Sequence, residues 1–131
     1  MKIRLETNRI ILHHSISNPY KTTREDIYAW HVMDPRNNYS DIGYHYMING
    51  YGEIIKGRNE IYQGAHAKFK NHDSIGICLF GDFSKYPPTY LQMMALNKLH
   101  RALKLRYPGI MIEFHRKINN PCPGKFLQKM F

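Results

Sequence analysis

The chain is short of cysteine, of acidic residues and of long apolar runs, and each shortage removes a class of protein. Two cysteines, Cys78 and Cys122, are too few for a disulfide framework, and Cys78 lies in an apolar stretch where a buried thiol is ordinary. A Cys78–Cys122 bridge is the lesser alternative for a chain read as starting life in a reducing compartment. No apolar run approaches the roughly 20 residues of a membrane span. The opening Met1-Lys2-Ile3-Arg4-Leu5-Glu6 alternates charge and has no apolar leader core. The expectation is therefore a protein without signal peptide or membrane insertion, made in the cytoplasm. Only 10 acids stand against 19 Lys and Arg, a formal net charge of +9 that favours anionic partners without choosing among them. No zinc-finger spacing, RNA-binding aromatic motif or basic helix accompanies that charge, so no specific nucleic-acid partner is expected. Repeats, low-complexity tracts and linkers are also absent. Residues 1–131 are read as a single domain, long enough to bury a core.

What is present begins with Ile10-Ile11-Leu12-His13-His14-Ser15, an aliphatic strand that runs into two imidazoles and a hydroxyl. Such a strand suits an open α/β sheet, where sites gather at the carboxyl ends of strands. Thr22-Thr23-Arg24-Glu25 has capping-box spacing, with Thr22 as N-cap. Ile27, Trp30 and His31 follow at helical spacing until Asp34-Pro35 ends the helix. Asn49-Gly50-Tyr51-Gly52 predicts a tight turn joining strands Tyr44–Ile48 and Glu53–Lys56. Residues 57–73 are polar and aperiodic, a long connection of the kind that carries function. Ser74–Phe80 is continuously apolar, as a strand covered on both faces should be. Thr89 and Gln92 form a second capping box ahead of a long amphipathic helix ending near Tyr107, and Ile110–Phe114 predicts a last strand that runs into His115.

Strands ending at His13/His14 and at His115 would set imidazoles side by side if they share a sheet. Zinc takes His nitrogen and Cys sulfur, and catalytic zinc sites use three protein ligands with one position open. His13, His115 and Cys122 make such a set, with Cys122 held between Pro121 and Pro123. Parity does not separate His13 from His14 when both strand faces are covered. The plain alternative is two strand-end histidines and a loop cysteine.

Four motifs in order carry a resemblance over roughly residues 9 to 124. They are Leu12-His13-His14-Ser15, Asp41-Ile42-Gly43-Tyr44-His45, Gly64-Ala65-His66-Ala67 with Asn71-His72-Asp73-Ser74-Ile75-Gly76-Ile77, and His115 with Cys122-Pro123-Gly124. The chain resembles the zinc-dependent N-acetylmuramoyl-L-alanine amidase family of the phage lysozymes and peptidoglycan recognition proteins. The resemblance implies a mixed central β-sheet flanked by helices, with one Zn2+ in a surface groove held by His13, His115 and Cys122. It implies Tyr44 as the residue assisting catalysis and His66, Asn71 and His72 as substrate-binding residues lining the groove. Lys68, Lys70 and Arg58 would attract the anionic groups of the wall. The activity implied is hydrolysis of the amide between the muramic acid lactyl group and L-alanine in peptidoglycan, by a monomeric, endolysin-like enzyme reaching the wall after release or export. A non-catalytic peptidoglycan-binding module of the same fold is the alternative. Two departures from the family pattern stand out: the His115-to-Cys122 interval is one residue shorter than usual, and Asn120 occupies the catalytic lysine position of the phage enzymes, leaving Lys117 as a nearby cation.

Overall fold

In the computed structural model, which describes residues 1–131, the two uninterrupted aliphatic runs form the middle of the sheet. Arg9–His14 (β1) and Ser74–Leu79 (β4) pair in parallel, with Ile10 opposite Ile75 and His13 opposite Cys78. Both are buried on both faces, which explains why neither run alternates in polarity. Met111–Phe114 (β5) pairs in parallel with the far side of β1, placing Leu12 opposite Phe114. Tyr46–Ile48 (β2) lies parallel to β4 and turns back into the antiparallel Ile54–Lys56 (β3). The order β3-β2-β4-β1-β5 is a mixed sheet with one antiparallel edge. The predicted turn is there, braced by Asn49, whose side-chain oxygen accepts the amides of Tyr51 and Glu53 at 3.1 and 3.0 Å.

The two faces of this sheet are covered unequally. Ile10 and Leu12 of β1, Ile75, Ile77 and Leu79 of β4 and Ile48 of β2 pack against Leu96, Leu99 and Leu103 of the helix Tyr90–Arg106 (α2). Each such leucine contributes about 1.5–3 kcal/mol through burial. Thr89 caps α2 and Gln92 reciprocates, as the sequence indicates. The Gln92 amide, fully buried, also donates to the carbonyls of Phe80 (2.7 Å) and Ile48 (3.2 Å), fixing the helix start to two strand ends. The opposite face carries a smaller cluster of Ile27, Ile42, Met47, Cys78 and Phe80. Along β1 the even positions therefore meet α2, while Ile11 and His13 turn to the lightly covered side.

The segment before β2 departs from expectation. The capping box is Thr23 with Asp26 rather than Thr22 with Glu25, because the Thr22 hydroxyl is engaged by the Asn18 carbonyl at 2.7 Å. Two adjacent threonines left the frame ambiguous by one residue. The helix Arg24–Tyr28 (α1) is short and runs into a π turn, Ala29–Met33, closed by the Asp34 amide on the Ala29 carbonyl at 3.0 Å. That wider turn breaks the expected helical spacing and rotates Trp30 outward, leaving it 42% exposed. A last short helix, Lys125–Gln128 (α3), tucks Leu127 into the α2-side core.

Candidate metal centre

Parallel pairing of β1 and β5 delivers two imidazoles to one place. His115 follows β5 directly, its amide donates to the Leu12 carbonyl at 3.3 Å, and its ring centroid lies 4.6 Å from that of His13. Cys122 returns on a loop clasped by two backbone hydrogen bonds, Arg116 N–H to the Cys122 carbonyl (2.9 Å) and Cys122 N–H to the Arg116 carbonyl (3.1 Å). The short interval is accommodated by Asn119 and Asn120, both left-handed at φ 51°, a conformation asparagine tolerates better than most residues. Sγ of Cys122 comes to 3.9 Å from Nδ1 of His13, and one donor atom from each of His13, His115 and Cys122 lies within 4.8 Å of the other two. Tetrahedral zinc, with bonds of about 2.0–2.3 Å, sets its donors roughly 3.3–3.8 Å apart, so a small contraction closes the set. Two imidazoles and a thiol suit zinc rather than magnesium or calcium. The residues fit the ion.

The electrostatics hold the two histidines, but not the cysteine, in the form that binds metal. Burial, reinforced by repulsion from His66 and His115, keeps the His13 pKa well below its ordinary value, so the ring is the neutral species that binds metal. Burial, with Arg116 and Lys70 nearby, lowers that of His115 too. Burial raises the Cys122 thiol while the His14 backbone amide and Arg116 oppose it; a bound cation would supply the charge that favours the thiolate. Tyr44 sets its ring, tilted, 5.1 Å from His13, and burial, with Cys78 and Cys122 adding to it, pushes its hydroxyl well above 10. The protonated hydroxyl, a hydrogen-bond donor, is thereby favoured near neutral pH.

The other expected residues spread over several roles. His66 lies deep: its Nδ1 is 2.8 Å from Nε2 of His13, and its Nε2 is 3.2 Å from the Ser74 hydroxyl. The Asn71 side-chain oxygen accepts the amides of His66 (3.0 Å) and Ala67 (2.9 Å), so it shapes the 64–73 segment. His72 is exposed beside that segment. His14 points to the α2 side, stacked on Phe83 and accepting its amide at 3.1 Å. Arg58 is buried, its guanidinium spent on the carbonyls of Ile42, Gln63 and Asp41, and is no surface cation. Lys70 pairs with Glu113 at 3.7 Å, whereas Lys68, Lys117 and Asn120 are exposed. Sequence reasoning missed His31, whose Nδ1 accepts the Gly43 amide at 2.9 Å and whose ring flanks Tyr44 at 5.1 Å. It also missed Ser74. The partner of His31 lies beyond a π turn and a loop, and Ser74, though near its partners in sequence, reads only as the first residue of an apolar strand.

These features agree with what similar proteins are. The endolysin of Escherichia phage T7 is 33% identical over 135 residues, spanning 98% of this chain and 87% of that protein. A solved structure of the endolysin N-acetylmuramoyl-L-alanine amidase LysCS from Clostridium intestinale superposes with a TM-score of 0.86 at 30% identity, covering 98% of this chain and 82% of that one. Peptidoglycan recognition protein SA of the bumblebee shares the fold with a TM-score of 0.87 at 25% identity, covering 98% and 81%. With the N-acetylmuramoyl-L-alanine amidase family profile matching residues 4–125, the chain belongs to the N-acetylmuramoyl-L-alanine amidase family.

Proposed function

We propose that this chain cleaves the amide between the N-acetylmuramic acid lactyl group and L-alanine, using one zinc ion held by His13, His115 and Cys122. Family membership makes it a peptidoglycan hydrolase of the amidase class. The observation carrying the finer reading is the convergence of two imidazoles and a thiol from three separate segments on the lightly covered side of the sheet. Zinc, when bound, supplies a nucleophilic water near neutral pH and polarises the scissile carbonyl. His13 and His115 enter as neutral rings and Cys122 as thiolate. Tyr44 keeps its proton and offers it to the carbonyl oxygen as charge develops there. The 64–73 segment forms the wall beside these residues, with His72 on the solvent side and His66 and Asn71 beneath. Lys68, exposed, adds positive field for an anionic polymer. The protein works as a monomer, residues 1–131 acting as one unit, at the cell wall after release.

A wall-binding module that does not cut is the second reading, favoured by the uncharged Asn120 and by likeness to recognition proteins, and opposed by the intact Cys122. Purified protein incubated with peptidoglycan should release free stem peptides, and a chelator should abolish this. Cys122→Ser should lose stoichiometric zinc. Release of reducing sugars without peptides would refute the amidase reading. Wall binding by zinc-loaded protein without peptide release would favour the second.

A further inference from the structure

The geometry points to His66 as a positioning residue that fixes the tautomer of the first metal ligand, an inference that rests on the zinc reading of His13. The direction of the bonds is forced from one end. The Lys70 carbonyl can only accept, and it lies 2.7 Å from the Ser74 hydroxyl, which donates its single hydrogen there. Ser74 Oγ must then accept from its other neighbour, Nε2 of His66, at 3.2 Å. A neutral imidazole with its proton on Nε2 has a bare Nδ1, so His66 accepts from Nε2–H of His13 at 2.8 Å. That leaves His13 with a free lone pair on Nδ1, the nitrogen 3.9 Å from the Cys122 thiol. A backbone carbonyl on the 57–73 connection thus dictates which nitrogen of His13 faces the metal position.

The ring of His66 sits where only glycine leaves room for it. A Cβ on Gly76 would come within 2.6 Å of its Cγ and Cδ2, and one on Gly64 within 2.5 Å of Cδ2. The two glycines form a slot that admits a flat ring, and Asn71 pins the slot's loop by taking the amides of residues 66 and 67. His66 thereby acts through His13. Partners that orient a metal-bound imidazole through its second nitrogen commonly govern metal affinity by about 10–100-fold.

The test uses two readouts that do not depend on turnover. Long-range 15N–1H spectra of the metal-free and zinc-loaded chain should show His13 and His66 both protonated on Nε2. Competition against a chromogenic chelator should show His66→Ala binding zinc about 10–100-fold more weakly. His66→Asn places an amide oxygen where Nδ1 stood and should recover most of that affinity. Ser74→Ala should release the tautomer of His66, with a smaller loss of zinc affinity. His13 protonated on Nδ1 in the metal-free protein, or His66→Ala binding zinc as the wild type does, would overturn the assignment. Should His66→Ala not fold, the wild-type spectra and His66→Asn decide the matter alone. Failure of the ligand reading looks different: Cys122→Ser would retain zinc, while the metal-free spectra would still report the relay.

Discussion

Glu60→Gln offers a test of how the fold is held apart from its chemistry. Glu60 follows β3 and receives Arg106 of α2 through Nε at 3.0 Å and Nη2 at 2.6 Å, the Tyr107 hydroxyl at 2.7 Å, and the Tyr46 hydroxyl. Burial alone would raise its pKa, but these donors outweigh burial and hold it at about 2 rather than 4.5. That difference corresponds to roughly 3 kcal/mol. Because the Arg106 side chain is 49% exposed, solvent screening brings the expected contribution nearer 2 kcal/mol. The folded-state pKa is depressed, so the stabilisation is complete above the unfolded value of 4.5 and fades as pH falls towards about 2, with over half gone by roughly pH 3. Urea denaturation should therefore show Glu60→Gln about 2 kcal/mol less stable at pH 7, with the gap narrowing sharply at pH 3. Zinc uptake at pH 7 should be unchanged, since the donors to the carboxylate include no proposed ligand. An equal gap at both pH values, or none at pH 7, would refute the account.

Tyr44→Phe removes one donor from the reacting oxygen and should lower the turnover rate about 10²–10³-fold with zinc stoichiometry intact; peptide release at the wild-type rate would exclude Tyr44 from the chemistry. Thr89→Ala deletes both the cap on the Gln92 amide (3.0 Å) and the bond to the Gly50 carbonyl (2.8 Å), and should cost about 1–2 kcal/mol in chemical denaturation. Thr23→Ala, capping the exposed five-residue α1, should cost less, about 0.5–1 kcal/mol, and a larger loss than at Thr89 would reverse the argument.

The strands and α2 were legible because their signals are local. Continuous aliphatic runs at Ile10–Leu12 and Ile75–Leu79, an Asn-Gly turn and a Thr–Gln capping box each state their structure within a few residues. The strand ends at His13 and His115 were legible too, but their adjacency hung on β1 and β5 sharing a sheet, which only the parallel pairing in the structure supplies. The rest was hidden for identifiable reasons. The frame of the first capping box turned on which of two threonines the carbonyl of Asn18, four residues earlier, engages. The helical spacing of Ile27, Trp30 and His31 gave no sign of the π turn, which alters the period without altering composition. The resemblance puts His66 in the groove wall; that it also reaches His13 depends on two glycines and a serine whose role exists only once the sheet has assembled. The side chains of His13 and His14 could not be told apart while both faces of β1 counted as covered, and the unequal covering is a property of the whole chain.

That unequal covering makes length, more than chemistry, the constrained variable of β1. Substitutions at Ile10 or Leu12 perturb the side packed on α2, whereas a one-residue insertion or deletion between Arg9 and Leu12 transposes the two sides entirely. An insertion would carry the imidazole of His13 to the place of His14, beside Phe83, and a deletion would bring that of His14 opposite His66 with its neighbours out of step. Drift in this lineage should therefore accumulate as side-chain exchange within a strand of conserved count, with indels confined to the connections before Arg9 and after Ser15.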